Sequence, residues 1–525
     1  MDNKAILRDR IRGSLMAGAA GDALGYTVEF MSLDEIRRRY GQKGITRFEL
    51  INGKALISDD TQMTLFTANG ILMGVTRGAM RGIFGSFEDY VGEAYKDWYY
   101  TQTGIKSKFS KDTWHATWLR DLPEMAHRRA PGNTCLSACD AMLNHREVSN
   151  DSCGCGGIMR VAPMPLFIAA HGYMSMEITD KTTAEIARIT HKHPFGFLPA
   201  AMLSHLILSV MDKSVDEVRR DITALALQSA EAVSNLYPNE FVTEKLFLIK
   251  LTQKAITLAA NDCSDTDNIR KLGEGWTGHE AWAIAVYCAI RHIDNPAQAI
   301  IAAVNHDGDS DSTGSICGNI VGAIYGYDML KRHRTFCPDG AELEQTLELS
   351  NIILALADDL ASGCIISEYS EMNTPAKQQW YLRYCKMQPV GIGAPTYSRP
   401  FAPDKVDSLR ANEIFVFGSN LQGMHGGGAA RAAHQRFGAI MGVGVGLQGQ
   451  SYAIPTMQGG VGTIRPYVDQ FIDFARNRPD LTFLVTRIGC GIAGFTDADI
   501  APLFRAALPV TNILLPRSFV EILSK

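Results

Sequence analysis

The stretch HDGDSDSTGSICGNIVGAIYG, residues 306–326, decides how most of this chain folds. Its first half joins acids to hydroxyls, from Asp307 through Asp309, Ser310, Asp311, Ser312 and Thr313. Its second half repeats glycine at every fourth position, Gly314, Gly318, Gly322 and Gly326. Residues four apart share one face of a helix, so the spacing predicts a helix that is bare on one side. A neighbour can approach such a face to within backbone contact. Asp, Ser and Thr are also favoured helix N-caps, and their charge suits the helix dipole, so the acids by themselves predict only a helix start. A helix packed so closely carries those acids into the interior, where unpaired carboxylates are very costly. Cation binding is therefore the favoured reading.

A second segment has the same chemistry: Ile57-Ser58-Asp59-Asp60-Thr61. Neither segment sets Cys or His in a strong ligand position. Oxygen-only donors suit hard cations such as Mg²⁺, Mn²⁺ or Ca²⁺. If Asp59, Asp60, Asp309 and Asp311 meet, four like charges share one pocket, and two divalent ions cancel them.

The rest of the chain bounds the class. At 525 residues it exceeds one comfortable core, and 46% hydrophobic against 20% charged residues excludes disorder. A net charge of −5 gives no field for gripping nucleic acid or an anionic membrane. The eleven cysteines are scattered, with no zinc-finger spacing. The first residues lack an apolar leader segment, and no uninterrupted apolar run reaches the ~18–20 residues of a membrane span. A reduced, cytoplasmic protein is expected, with no nucleic-acid and no membrane partner.

Residues 1–380 read as helical, with i, i+3, i+4 apolar spacing at 184–189, 198–211 and 280–292. Gly, Ser, Asn and Asp at 140–157 and 305–313 predict loops. Four prolines between Pro389 and Pro403 predict a linker over 381–405. Beyond it, short apolar strands at 414–417, 452–455, 481–486 and 512–515 alternate with helices at 428–437, 467–476, 500–507 and 518–523. That alternation predicts a small α/β domain over 406–525, following a large all-α domain.

Five ordered motifs carry a resemblance: GAAGDALGYTVEF (18–30), SDDT (58–61), GCGGIMRVAP (154–163), THKHP (190–194) and the 306–326 stretch. Together they resemble ADP-ribosylglycohydrolases over about residues 8–360. The resemblance implies an orthogonal all-α fold with two Mg²⁺ (or Mn²⁺) at the base of an ADP-ribose cleft. It places Ser58, Asp59, Asp60, Asp309, Asp311 and Ser312 on the metal-ligand positions, where the family often has threonine in place of the two serines. Glu29 falls on an acidic position near the metals. Gly154, Gly156, Gly157 and Arg160 fall on the diphosphate loop, and His191 beside the ligand. The implied reaction is Mg²⁺-dependent removal of ADP-ribose from a mono-ADP-ribosylated protein, most naturally at arginine. Asp59, Asp60, Asp309 and Glu29 are the candidate catalytic carboxylates. Immunity to an ADP-ribosyltransferase toxin is one implied role. A non-catalytic binder of ADP-ribosylated targets, or a hydrolase of serine, nucleobase or O-acetyl linkages, remains open.

In the second domain, IFVFGSNLQGMHGGGAARAAHQRFG (414–438) reads strand, glycine loop, helix, the order that phosphate binding at a helix N-terminus requires. A second glycine turn, 487–495, follows the strand LTFLVT, and two such loops at strand ends would flank one crevice. The arrangement resembles macro-domain-like modules, which bind ADP-ribose. Asn420, Gly426, Gly427, Gly428, Gly489, Gly491 and Phe495 are the implied contacts, and Glu413 is the one acid placed near the first strand.

Overall fold

The computed structural model describes residues 3–82, 84–104, 116–336, 341–385, 400–403, 405–508 and 510–523. The chain divides into two compact units, Met1–Met387 and Gln388–Lys525. Most of the expected linker lies outside the described residues. Its start does not: the helix Pro375–Tyr384 runs into it, because Trp380 and Tyr384 are buried and anchored. The Trp380 indole donates to Thr76 Oγ1 at 2.9 Å, and the Tyr384 hydroxyl to Asp359 at 2.7 Å.

The first unit is helical, and its organising contact joins the helices Asn3–Tyr26 and Ser310–Tyr325. They run antiparallel with glycine on both sides. A Cβ on Gly21 would lie 2.1 Å from the Gly314 carbonyl oxygen, and one on Gly25 2.2 Å from that of Ser310. Across the seam, Gly318 would strike Ala17 O at 2.1 Å and Gly322 would strike Gly13 O at 2.1 Å. The fourfold glycine spacing therefore serves a backbone-to-backbone crossing, and the N-terminal helix supplies matching glycines. Every residue of Ser310–Tyr325 is buried. The expected loop over 305–313 ends early, because Asp309 caps the helix at Ser310. The expected loop over 140–157 likewise gives way to the helix Asn133–Leu143 and a 3₁₀ turn at Cys155–Gly157.

The predicted apolar segments fall within the helices Met176–Arg188, Pro194–Met211 and Gly278–Arg291. Pro194–Met211 is long and apolar enough by length and composition to cross a membrane, although Ser204, His205 and Ser209 interrupt its apolar run; 72% of it is buried within the protein. Its apolar side chains are matched by neighbouring helices, and His205 on it holds Asp180 of Met176–Arg188 at 2.7 Å.

The second unit is built on a five-stranded mixed sheet: β1 (Glu413–Ser419), β2 (Gly446–Gln448), β3 (Ser451–Pro455), β4 (Thr482–Val485) and β5 (Ile513–Leu514), in the order β2-β3-β1-β4-β5. β1 pairs in parallel with β3 (Val416 opposite Tyr452) and with β4 (Phe415 opposite Leu484). β4 and β5 are parallel, and β2 alone is antiparallel, to β3. The period of two in β1 sends Phe415 and Phe417 to one face, against Ala430 and Ala433 of the helix Gly428–Arg436. Ile414 and Val416 go to the other, against Val468, Phe471 and Ile472 of Arg465–Arg476. Both faces are covered, which is why β1 reads as a continuous apolar run. The segment expected as a helix at 500–507 is a 3₁₀ turn, Ala501–Ala507, after a short helical turn.

Candidate active site

Asp22 organises the first half of the site. It is fully buried on the glycine-rich N-terminal helix and accepts from Ser58 N at 2.9 Å and Thr61 N at 3.0 Å, and from the Thr61 hydroxyl. These bonds fix the start of the helix Asp59–Arg81, whose N-cap is Ser58, its hydroxyl accepting from Asp60 N at 3.2 Å. Asp59 accepts from Gly132 N at 3.3 Å, and its own N–H donates to the Arg129 carbonyl.

The second half stands on the N-terminus of the glycine helix. Asp309 accepts from Ser312 N at 3.2 Å and Asp311 from the same N–H at 2.9 Å. The Asp309 N–H is held by the Glu274 carbonyl at 2.9 Å. The close crossing at Gly25–Ser310 brings the halves together. Asp60 faces Asp22, Asp59, Asp309 and the Ser312 hydroxyl, and Glu29 faces Asp309, Asp59, Asp22 and Asp311.

Six carboxylates thus share one buried region. Among the described residues none of them is paired with a lysine or arginine, and nearby Arg129 is taken by Glu348 at 2.6 Å. Burial and like charges push Glu29 up to about 9. Burial, with Asp22 and Asp309 close by, pushes Asp59 up to about 8. Burial lifts Asp22 to about 6 against the hydrogen bonds of Thr61 and Ser58. Asp60 and Asp311 rise well above the usual carboxylate range for the same reasons, burial first. Two buried carboxylate oxygens, Glu29 Oε2 and Asp60 Oδ2, have no hydrogen-bond partner. Orphaned acceptors among oxygen donors fit a hard cation. The fit is one of donor chemistry: among the described residues no three His, Cys, Asp or Glu side chains form a finished metal cage.

A stability consequence follows. These acids bind protons in the folded chain at pH values where the unfolded chain, with carboxylates near 4, has lost them. The folded state then holds more protons, so stability falls as pH rises. Metal-free protein should melt at progressively lower temperature between about pH 5 and pH 9, the window set by Asp59 and Glu29. Mg²⁺ or Mn²⁺ should flatten that slope in a thermal-shift series.

The glycine loop is placed beside Asp309 by a different logic from the expected one. Gly156 and Gly157 are buried, and a Cβ on Gly157 would meet the Gly196 carbonyl oxygen at 2.1 Å, one on Gly156 the His191 ring at 2.9 Å. Packing demands these glycines; Gly154 alone is half-exposed, and its N–H lies 3.4 Å from Ser152 Oγ. Arg160 departs further from expectation. It is fully buried over the Tyr95 ring, with Nη2 donating to Thr190 Oγ1 at 2.5 Å and Nη1 to Cys135 Sγ, so its guanidinium faces the core rather than a ligand. His191 is 2% exposed, bonded to Thr190, and held neutral by burial, its imidazole lowered to about 3. It braces the loop from below.

Three features escaped the sequence reading. Asp22 bonds to residues nearly forty positions away, which no local pattern signals. Cys155 donates its thiol to Asp309 Oδ2 at 2.7 Å. Phe30, 75% exposed, stacks with Trp276, 40% exposed, at 6.2 Å and 22°. That pair borders the acids, since Phe30 follows Glu29 and Trp276 accepts the Cys155 N–H.

The family description for ADP-ribosylglycohydrolase matches residues 3–366. This chain belongs to the ADP-ribosylglycohydrolase family. The ADP-ribosylglycohydrolase unit coincides with the helical part of the chain, and the acids above all lie within it. It is 23% identical over 331 residues to the ADP-ribosyl-[dinitrogen reductase] glycohydrolase of Rhodospirillum rubrum, covering 61% of this chain and 87% of that protein. It is 26% identical over 193 residues to the mouse ADP-ribosylhydrolase ARH3, 34% of this chain and 51% of that one. A solved structure described as an ADP-ribosylglycohydrolase-related protein complex covers 68% of this chain and 99% of its own at 18% identity and a TM-score of 0.44. The family match stops short of the second unit.

In that unit the two glycine loops are neighbours. A Cβ on Gly427 would lie 3.0 Å from Ile492, and one on Gly418 3.3 Å from Gly489 N. Gly426, Gly428 and Gly491 have open space where a side chain would be, and Gly428 has φ +53, a conformation glycine adopts freely. Asn420 turns its Oδ1 onto Met424 N at 3.0 Å, closing the first loop. Phe495 is partly buried on the core, with Gly489 beneath it, so it props the second loop. Glu413 accepts from Arg410 N at 2.8 Å and caps that turn.

Proposed function

We propose that this chain is a divalent-cation-dependent hydrolase that removes ADP-ribose from mono-ADP-ribosylated protein, with arginine as the favoured linkage. The observation that carries the reading is the meeting of the 58–61 and 309–312 segments around orphaned carboxylate oxygens. Asp59, Asp60, Asp309, Asp311, Ser58 and Ser312 would hold two Mg²⁺ or Mn²⁺. When bound, such ions fix vicinal ribose hydroxyls and lower the pKa of water. Bond cleavage builds oxocarbenium character on the ribose, which the surrounding carboxylates stabilise. Cations bound among the acids would offset the like charges that keep Glu29 protonated, and Glu29, whose Oε2 is unpartnered, would then take a proton from the attacking water. The exposed Phe30–Trp276 pair beside it offers π faces to a planar cation, which favours a guanidinium leaving group.

The second unit is proposed as an ADP-ribose-binding module, supported by two glycine loops meeting at the carboxyl ends of β1 and β4. Reversal of modification by an ADP-ribosyltransferase toxin, in the cytoplasm, is the setting we propose, and it rests on the family resemblance alone. Against a pure binder stands the charge itself: crowding six acids in a core serves no purpose for a protein that only holds ADP-ribose.

The test is one panel of ADP-ribosylated arginine, serine and O-acetyl substrates, each assayed with Mg²⁺ and with EDTA. The expected result is release of ADP-ribose from arginine that EDTA abolishes. Release from another linkage alone would replace the arginine assignment, and no metal-dependent release from any would leave the binder.

A further inference from the structure

We propose that a cavity next to the acids binds one ordered water, which hydrogen-bonds the glycine helix Ser310–Tyr325 to the helix Asp59–Arg81. Thr61 and Thr64 of one helix and Ser315 and Asn319 of the other supply its polar wall, and apolar side chains close the rest. The cavity leaves about 10 Å³ for the centre of a water, which is room for one molecule. Asn319 is 1% exposed. Its Nδ2 donates to the Ser315 carbonyl at 2.9 Å, while its Oδ1 has no hydrogen-bond partner. Gly18 makes the room for this amide, since a Cβ there would lie 2.7 Å from Asn319 Oδ1. At Gly13, Gly21 and Gly25 the same seam is filled by backbone. Asn319 thus sets a buried acceptor into a crossing that is otherwise main chain on main chain.

The wall selects water over an ion. The Thr61 hydroxyl donates to Asp22 and the Thr64 hydroxyl to the Asp60 carbonyl at 2.8 Å, so toward a ligand both can only accept. Asn319 Oδ1 accepts as well, and the Ser315 hydroxyl can turn to donate. Water donates two protons and accepts others, which meets such a mixed set, whereas a monovalent cation takes acceptors alone. A buried water makes about three hydrogen bonds, and a bridge through it is nearly as good as a direct bond. This bridge reaches Thr61, whose bond to Asp22 fixes the 58–61 segment. It therefore ties together the two helices that carry the acids. None of the four polar wall residues is a proposed cation ligand, so the site stands apart from the hydrolase reading.

The experiment is a crystal structure of the full chain, at a resolution that shows single waters, for wild type and for Asn319→Leu. Leucine keeps the branched shape of asparagine and removes the acceptor. Wild-type crystals are also soaked in Rb⁺, whose anomalous signal marks a monovalent-cation site. Long-lived waters are compared in solution by oxygen-17 relaxation dispersion on both proteins. The expected result is one density peak within hydrogen-bond distance of Asn319 Oδ1 and of a wall hydroxyl, with no Rb⁺ in the cavity. In Asn319→Leu the peak should vanish, and the dispersion should report about one long-lived water fewer. If Asn319→Leu does not fold, Thr64→Val takes its place and is read in the same way. An empty cavity in wild type, a peak unmoved by the substitution, or an Rb⁺ signal in its place overturns the inference.

Discussion

Asp60→Asn and Asp311→Asn should each lower turnover of the preferred ADP-ribosylated substrate by at least about a hundredfold to a thousandfold, the range over which positioned carboxylates act. Metal-free protein carrying either change should melt no lower than wild type above pH 7. The second half of that expectation separates lost chemistry from lost folding. Both acids are buried among like charges and driven well above their usual range, so a neutral amide of the same shape removes repulsion. Asp60 gives up little in exchange, because its Oδ2 has no hydrogen-bond partner to lose. Asp22 is the contrast. It accepts from Ser58 and Thr61, so Asp22→Ala leaves buried donors unmatched and should cost stability, about 1–3 kcal/mol for each group left unsatisfied. Calorimetry on the three variants at pH 8, beside a turnover assay, checks the pattern. Wild-type activity in Asp60→Asn and Asp311→Asn would mean that the acids are misassigned.

Gly318→Ala and Gly21→Ala should unfold the helical unit at markedly lower temperature, at a cost at the upper end of overpacking, about 3 kcal/mol or more. In each case the added methyl would lie 2.1 Å from a carbonyl oxygen of the facing helix, and backbone cannot swing aside as a side chain can. Activity should fall with stability, because Asp309 and Asp311 ride on the same helix as Gly318. Gly92→Ala is the control. It too lies inside a helix, Phe87–Thr103, yet its nearest contact would be Met142 Sδ at 3.9 Å. Alanine there should be neutral or stabilising, by up to about 1 kcal/mol of helix propensity. Chemical denaturation of the three variants reads the difference directly.

Much of this was legible in the chain before its structure. Glycine at every fourth position announced a helix with a bare face, and the acids at its head announced where that helix begins. The partner helix was harder to see, because Gly13, Gly21 and Gly25 are ordinary small residues until their neighbour is known. The role of Asp22 was invisible for the same reason: its bonds reach residues 58 and 61. Arg160 misled because arginine is seldom fully buried, and only the stack on Tyr95 and the bond to Thr190 explain it. In the second unit the alternation of apolar runs found β1, β3, β4 and β5. It missed β2, a three-residue edge strand in a glycine-rich segment with no side-chain pattern to betray it.

The antiparallel glycine seam also imposes an order on synthesis. Gly25 leaves the ribosome long before Ser310, the residue it must touch. At about 5–20 residues per second, the N-terminal helix waits on the order of tens of seconds for its partner. Throughout that interval its small-residue face lacks the facing helix and Glu29 lacks Asp309 and Asp311, although Ser58 and Thr61 are made early enough to hold Asp22. A nascent chain stopped before residue 309 therefore possesses one side of the seam and four of the six acids. Translation pauses in the middle of the message, or a shortage of chaperone to shield that first helix, would reduce the yield of competent protein without altering one residue of it.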